Sequence, residues 1–206
     1  MKASRRIVVS LVLAVLFGSI FVAGAAQAGD VKGKVAATEL NSVENIAVYI
    51  DAIPGKKFDA PSEHVSVDQR NLKFVPQTIV IQRGTTVDFL NSDNVIHNVH
   101  WSSISGDKAL GHGLPPMSPG QKQSFQFDHV GTATTLCSFH YDMLGYVVIV
   151  PTPYFALTGY DGTFTLKNVP PGTYTVKTWS ADGKPTTQTI TVTDATSNVE
   201  LAVVKK

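Results

Sequence analysis

The chain has 206 residues, of which 43% are hydrophobic and 16% charged, with 17 Lys and Arg against 16 Asp and Glu. This composition excludes a disordered chain, which would have fewer apolar residues and a larger net charge. A formal charge of +1 gives no electrostatic basis for nucleic-acid binding, and a single Cys excludes a disulfide framework within the chain. The length predicts one or two domains.

Residues 1–28 are predicted to be a secretory signal peptide. Three basic residues precede an almost unbroken apolar run from residue 7 to residue 21, and Ala26-Gln27-Ala28 has the small-x-small pattern of a cleavage site. The alternative is an uncleaved N-terminal anchor, because residues 7–26 could almost span a bilayer. After cleavage no other segment is long and apolar enough to cross a membrane, so we expect a periplasmic or secreted protein.

Cleavage would leave 14 basic and 16 acidic residues, a formal charge of −2. The only cysteine, Cys137, would then lie in an oxidising compartment with no partner in the chain. An odd cysteine in an exported protein is usually paired between chains, reactive or bound to something.

The exported part is predicted to be all-β. Apolar residues do not recur at helical spacing over ten or more residues, whereas short β-rich runs alternate with turn signals such as Asp161-Gly162 and Pro170-Pro171-Gly172. Many short strands at this spacing favour β-sandwiches. The predicted strands are 31–37, 46–50, 78–82, 86–90, 124–127, 146–150, 173–179, 187–192 and 199–204.

Cys137, His140 and Met143 place a thiolate, an imidazole and a thioether within seven residues. With one further histidine, His97, they make two His, one Cys and a weak axial Met, which is the type 1 copper arrangement. A tight loop between two strands would let Cys137 and His140 reach one ion, while His97 would come from elsewhere in the sandwich. His100, three residues further on, is expected on the other face of the chain as a structural or surface residue.

Other interpretations of these residues remain open from sequence alone. Cys137 could be a buried free thiol, or a nucleophile paired with a histidine, although no oxyanion or third-member signature accompanies it. Zinc could occupy two His and one Cys, but a thioether in fourth place favours copper.

Residues 61–150 resemble the cupredoxins, the type 1 (blue) copper proteins, in their amicyanin/plastocyanin-like branch. The resemblance is carried by the Cys-x-x-His-x-x-Met loop, the following Leu-Gly-Tyr-Val-Val-Ile-Val, and the upstream His97-Asn98-Val99-His100. It implies a Greek-key β-sandwich holding one copper ion through His97, Cys137, His140 and Met143. Tyr141 departs from the pattern, because amicyanin-type loops usually have Pro there.

A second resemblance covers the flanking segments. Val31-Lys32-Gly33-Lys34-Val35, together with the Asp-Gly turn at 161–162 and the Pro-Pro-Gly-x-Tyr strand at 170–174, resembles a carboxypeptidase regulatory-like β-sandwich. We therefore expect residues 29–60 and 151–206 to form one small discontinuous sandwich, with the cupredoxin of residues 61–150 inserted between them. The alternative treats residues 29–60 as an N-terminal extension of the cupredoxin.

The cupredoxin resemblance implies a carrier of single electrons between redox partner proteins, with no catalysed reaction. A multicopper oxidase would need further His clusters, which six His in total do not provide. The alternative function is a copper carrier or sequestration protein without a redox partner. Partners are expected to dock near His140 on an apolar patch formed by Leu114, Pro115, Pro116, Met117 and Leu144, and Phe139 is expected in the core.

Overall fold

The computed structural model describes residues 28–206, so nearly all of the predicted signal peptide lies outside the described residues. Within the described part, the chain forms strands and one 3-10 helix, Lys108–Leu110. No helix in residues 28–206 has the length and apolarity to span a bilayer. The strands are β1 Gly29–Thr38, β2 Ala47–Ile50, β3 Val65–Gln69, β4 Phe74–Val75, β5 Thr78–Gln82, β6 Thr86–Asn91, β7 His100–Trp101, β8 His112–Gly113, β9 Lys122–Gln126, β10 Gly131–Leu136, β11 Leu144–Val150, β12 Phe155–Leu157, β13 Thr163–Val169, β14 Gly172–Trp179, β15 Thr187–Val192 and β16 Ser197–Val204.

The strands between residues 65 and 150 form two sheets around one core. One sheet has the order β4-β3-β6-β9 and the other β5-β11-β10-β7-β8. Alternating apolar side chains from both sheets meet in the core, where Phe89 and Phe127 are fully buried beside Trp101. Cys137 and Met143 belong to the same core, so the candidate ligands are held by the sandwich itself.

The remaining strands form two further sheets around a separate core. Their orders are β13-β1-β16 and β12-β2-β14-β15. The N-terminal strand β1 lies between β13 and β16, antiparallel to the first and parallel to the second, and β2 lies between β12 and β14. Val35, Ile50, Leu166 and Val203 meet in this second core. Residues 29–50 therefore share their sheets with strands that follow residue 150.

A small apolar cluster joins the two cores. Val148 and Val150, on the β11 strand of the first sandwich, are buried beside Ala47 on β2. Trp179 on β14 lies half-buried against this cluster. The two sandwiches are thus in direct side-chain contact.

The all-β prediction is confirmed, and each of the nine predicted strands overlaps an observed one. Thr78–Gln82 and Thr187–Val192 match to the residue. Seven observed strands were not predicted: β3, β4, β7, β8, β10, β12 and β13. Of these, β10 is the centre of the sheet beside the ligand loop, bonded to β11 on one side and β7 on the other.

Candidate metal centre

The segment from Cys137 to Met143 is a short loop between two central strands. β10 ends at Leu136 and β11 begins at Leu144, and these two residues are paired in register. The Met143 N–H donates to the carbonyl of His140 at 3.0 Å, which closes a turn within the loop. A side chain at Gly145 would come within 2.7 Å of Thr135 Oγ1, so glycine allows the two strands to approach closely just after the loop.

The segment that carries His97 lies between β6 and β7, and a backbone bridge fixes it. His97 N–H donates to the Met117 carbonyl at 3.1 Å, and Met117 N–H donates back to the His97 carbonyl at 2.7 Å. The buried Asn91 side chain adds two bonds, donating to the carbonyls of Met117 and Val95. Because these buried backbone groups are satisfied, the loop holds a defined position without belonging to a regular strand.

His97, Cys137 and His140 converge on one point. Their potential ligand atoms all lie within 4.8 Å of one another, and theirs is the one such cluster found in residues 28–206. Cys137 Sγ lies 3.7 Å from Nδ1 of His97 and 3.8 Å from Nδ1 of His140. His97 and Cys137 are buried, whereas His140 is half-buried.

These separations suit a three-coordinate plane around a metal ion. Bonds of about 2.3 Å to sulfur and about 2.0 Å to nitrogen, set about 120° apart, place the two ligand atoms about 3.7 Å apart. The donor set of one thiolate and two imidazoles is the one that a type 1 copper ion takes. The residues present therefore fit copper in both spacing and chemistry.

A carboxylate on the far side of His97 orients its ring. Asp93 Oδ2 lies 2.9 Å from Nε2 of His97, so Nε2 carries the proton and Nδ1 faces the cluster. The same carboxylate accepts from the backbone N–H groups of Asn71 and Leu72, at 2.6 and 2.9 Å. Both of these turn residues have positive φ, 54° and 56°. Burial alone would raise the pKa of Asp93, but the hydrogen bonds from Leu72, His97 and Asn71 outweigh it and lower that pKa.

Asn98 connects the His97 segment to the ligand loop. Its side-chain oxygen accepts from the Ser138 N–H at 2.7 Å, and its amide donates to Ser138 Oγ at 3.2 Å. Asn98 follows His97 and Ser138 follows Cys137, so these two bonds hold the two ligand segments together.

The two methionines differ in their position relative to the cluster. Met143 is fully buried, and its backbone N–H donates to the carbonyl of His140. Met117 is also fully buried and is backbone-paired with His97. His100 is half-buried on β7, where it pairs with Leu136 and Gly113, and it is not among the three converging residues. The axial role of Met143 stays a prediction.

Of the five residues predicted to form an apolar patch near His140, Pro115 and Pro116 are exposed and Leu144 is half-buried, whereas the other two are buried. Leu114 is 7% exposed and Met117 is fully buried, because both belong to the core of the first sandwich, so they cannot contribute to a docking surface. Phe139, expected in the core, is instead 50% exposed, and Tyr141 is 91% exposed. Ile96, next to His97, is 48% exposed. We call Ile96, Phe139 and Tyr141 the apolar rim.

Comparisons with known proteins identify relatives of both parts of the chain. Residues 61–150 match the model of copper-binding proteins of the plastocyanin/azurin family. Amicyanin-alpha of Methylorubrum extorquens is 31% identical over 91 residues, covering 44% of this chain and 76% of that protein. A second family model, domain II of polysaccharide lyase family 4, matches residues 152–201.

Solved structures of cupredoxins are similar to part of the chain. A reduced amicyanin variant has a TM-score of 0.39 at 26% identity, covering 44% of this chain and 86% of the other. A purple cupredoxin from Nitrosopumilus maritimus has a TM-score of 0.38 at 25% identity, covering 41% and 98%.

A β-sandwich that brings a buried cysteine and two histidines together at one end defines a cupredoxin domain joined to a second β domain. The chain belongs, through residues 61–150, to the plastocyanin/azurin family of copper-binding proteins. Its cofactor is a type 1 copper ion.

Proposed function

We propose that this protein is an exported carrier of single electrons whose copper is held by His97, Cys137 and His140, with Met143 as axial ligand. The convergence of the three ligand atoms within 4.8 Å carries this proposal. When bound, the copper supplies a one-electron couple between Cu(II) and Cu(I). The rest of the function depends on how the chain holds the ligands and connects them to the surface.

The ligand geometry is supported from three sides. Asp93 fixes the ring of His97, the Asn98–Ser138 pair holds the two ligand segments together, and the paired strands β10 and β11 hold both ends of the loop. Outer partners of this kind fix ligand orientation. A site that changes little between two oxidation states allows fast electron transfer, because little reorganisation accompanies each step.

The burial of the site supports a carrier over an enzyme. Cys137 is 2% exposed, and His97 and Met143 are fully buried, so these positions offer no access to a substrate. Catalytic metal sites, in contrast, keep an open coordination position. We therefore propose that the protein catalyses no reaction of its own.

His140 is the route by which electrons would leave. It is the half-buried member of the cluster, and Phe139 and Tyr141 of the apolar rim flank it in sequence. Exposed aromatic residues are typical of protein–protein contacts. We propose that redox partner proteins dock on this rim, close to the His140 imidazole. The near-neutral charge of the mature chain provides little long-range steering toward them.

The location and the domain arrangement belong to the same proposal. The signal peptide predicted for residues 1–28 would deliver the protein to the periplasm or outside the cell. Residues 29–60 and 151–206 would fold as one discontinuous sandwich, supported by the pairing of β1 with β13 and β16. The cupredoxin would then be connected at both of its ends to the same second sandwich.

The test is to add Cu(II) to the purified protein and record its visible spectrum. An intense thiolate-to-copper charge-transfer band, absent in Cys137→Ser and retained in Ser138→Ala, is expected. Reversible voltammetry of the same sample should then show a one-electron couple. Tight copper binding without that band, followed by rapid release to a chelator, would favour the copper carrier instead. No copper binding would overturn the proposal.

A further inference from the structure

A cleft of about 450 Å³ lies where the two sandwiches meet. Its walls come from the segment 40–45 before β2, from the ends of β5 and β11, and from the segment 179–182 after β14. The volume falls within the range of small-molecule sites. Electron transfer by the copper centre does not use this cleft.

Two aromatic rings, one from each sandwich, form part of its wall. The rings of Tyr146 on β11 and Trp179 on β14 have centroids 5.2 Å apart and are inclined by 60°. Both residues are half-buried, so part of each side chain remains accessible. An accessible tryptophan beside a tyrosine offers apolar faces on which a flat or ring-shaped ligand can stack.

The polar side chains around the rings are free to bind a ligand. Asn41, Asn45 and Asp182 are exposed, and their side chains form no hydrogen bond with another group in residues 28–206. Gln77 donates its amide to the Leu144 carbonyl at 3.2 Å, which leaves its side-chain oxygen available as an acceptor. The cleft therefore presents unused donors and unused acceptors together.

The charges of the lining residues limit which ligands the cleft can bind. Glu44 and Asp182 line the cleft. Lys206 lies against its wall, but its Nζ donates to the backbone carbonyls of Ser180 and Ala181, at 3.3 and 2.8 Å. This argues against phosphate or any polyanion, because such ligands need cationic or N–H-rich surroundings. The free amide donors of Asn41 and Asn45 would be left unused by a simple organic cation.

We propose that this cleft binds a neutral oligosaccharide. Sugar hydroxyls both donate and accept hydrogen bonds, which matches the mixed polar groups, and the apolar face of a sugar ring can stack on Trp179 or Tyr146. Binding would attach the electron carrier to glycans outside the cytoplasm while leaving His140 and the apolar rim accessible. This inference goes beyond the proposed function and does not depend on it.

The experiment uses the two tryptophans of the chain as reporters. Trp179 lines the cleft, whereas Trp101 is buried and donates its indole N–H to the Leu110 carbonyl, so its NMR signal serves as an internal control. The copper-loaded, reduced protein is titrated with cellohexaose, xylohexaose, maltohexaose and chitohexaose while the two indole N–H signals are followed. At least one hexasaccharide should shift the Trp179 signal saturably and leave that of Trp101 in place.

Variants separate the cleft from unspecific binding. Asn41→Ala and Asp182→Ala remove exposed side chains and should each weaken binding about fivefold, the effect of one lost hydrogen bond. Asp194→Ala, an exposed change outside the cleft, should not. The proposal is overturned if none of the four sugars shifts the Trp179 signal, if the cleft variants bind as well as the parent, or if tetramethylammonium or inorganic phosphate saturates the site instead.

Discussion

Asp93 accepts a hydrogen bond from His97 across 2.9 Å, on the side of the imidazole that faces away from Cys137. The carboxylate is itself held by two backbone N–H groups, those of Asn71 and Leu72 in the turn between β3 and β4. The ring orientation of His97 thus depends on a contact between the segment that joins β6 to β7 and the turn that joins β3 to β4. A carboxylate that orients a metal-binding histidine in this way also raises the basicity of the ligand.

Asp93→Asn should raise the reduction potential of the copper. The asparagine oxygen can still accept from His97, but removal of a negative charge near the centre disfavours Cu(II) relative to Cu(I). We expect a change on the order of 1 kcal/mol in the redox free energy, together with a copper affinity lowered by roughly tenfold. Voltammetry and competition with a chelator measure the two effects.

Asp142→Asn is the matched control, because Asp142 is an exposed carboxylate of the ligand loop with no bond to a cluster histidine. Its shift in potential should be smaller. Equal shifts in the two variants would contradict the prediction, because a charge bonded to His97 would then affect the potential no more than an exposed charge of the loop.

Asn98→Ala should loosen the ligand loop. The change removes the acceptor of the Ser138 N–H and the donor to Ser138 Oγ, and loss of such bonds costs about 1–2 kcal/mol of unfolding free energy. Ser138→Ala removes only the longer of the two bonds and should cost less. Thermal unfolding of the copper-loaded variants tests whether Asn98→Ala is more destabilising than Ser138→Ala. A larger loss for Ser138→Ala would contradict the prediction that the bond to the Ser138 N–H contributes most.

The sequence could predict the copper cluster because three of its four proposed ligands lie within seven residues. Asp93 was not predicted, because its role depends on a turn at Asn71 and Leu72 that is distant in sequence. An acidic residue four positions before His97 was the one local signal available.

The sequence also failed to predict the position of β10 and the exposure of Phe139. β10 was not predicted because its sequence, Gly-Thr-Ala-Thr-Thr-Leu, contains few large apolar residues, although it lies at the centre of a sheet. Phe139 was expected in the core from its hydrophobicity, but the tight loop that brings Cys137 and His140 together leaves its ring exposed. Burial in a loop is set by loop geometry, which residue type alone does not reveal.

Met143→Leu should keep the charge-transfer band but raise the reduction potential, because the axial ligand tunes the couple rather than forming the trigonal plane. Met117→Leu is the matched control, since Met117 is equally buried and is also near His97 in the fold. Both changes conserve volume and should cost less than about 1.5 kcal/mol of stability. Visible spectra and voltammetry of both variants test this prediction. A larger shift in reduction potential for Met117→Leu would mean that Met117, and not Met143, is the axial ligand.

Asp88→Asn should reduce the acid sensitivity of the fold. Hydrogen bonds from the Ser124 hydroxyl, Lys122 and His64 lower the pKa of Asp88 to about 2, although burial alone would raise it. Because this pKa is lower in the folded state, the ionised carboxylate stabilises the fold above about pH 4, and the contribution is lost as the pH falls toward 2. Denaturant unfolding in a metal-free Cys137→Ser background, at several pH values, should show a shallower loss for Asp88→Asn. The exposed Asp194→Asn should behave like the parent, and a parallel pH dependence for both variants would contradict the prediction.

The proposed discontinuous sandwich predicts how fragments of the chain behave. Residues 61–150 alone should fold and bind copper, because their two sheets and core are complete. Residues 151–206 alone should not fold, since β1, which lies between β13 and β16, would be missing; residues 29–60 joined directly to 151–206 should fold. In that joined chain Leu166→Ala, at a fully buried site, should cost about 2–5 kcal/mol. Circular dichroism and thermal melts test each fragment. Independent folding of residues 29–150 and of residues 151–206 would instead make the N-terminal segment an extension of the cupredoxin.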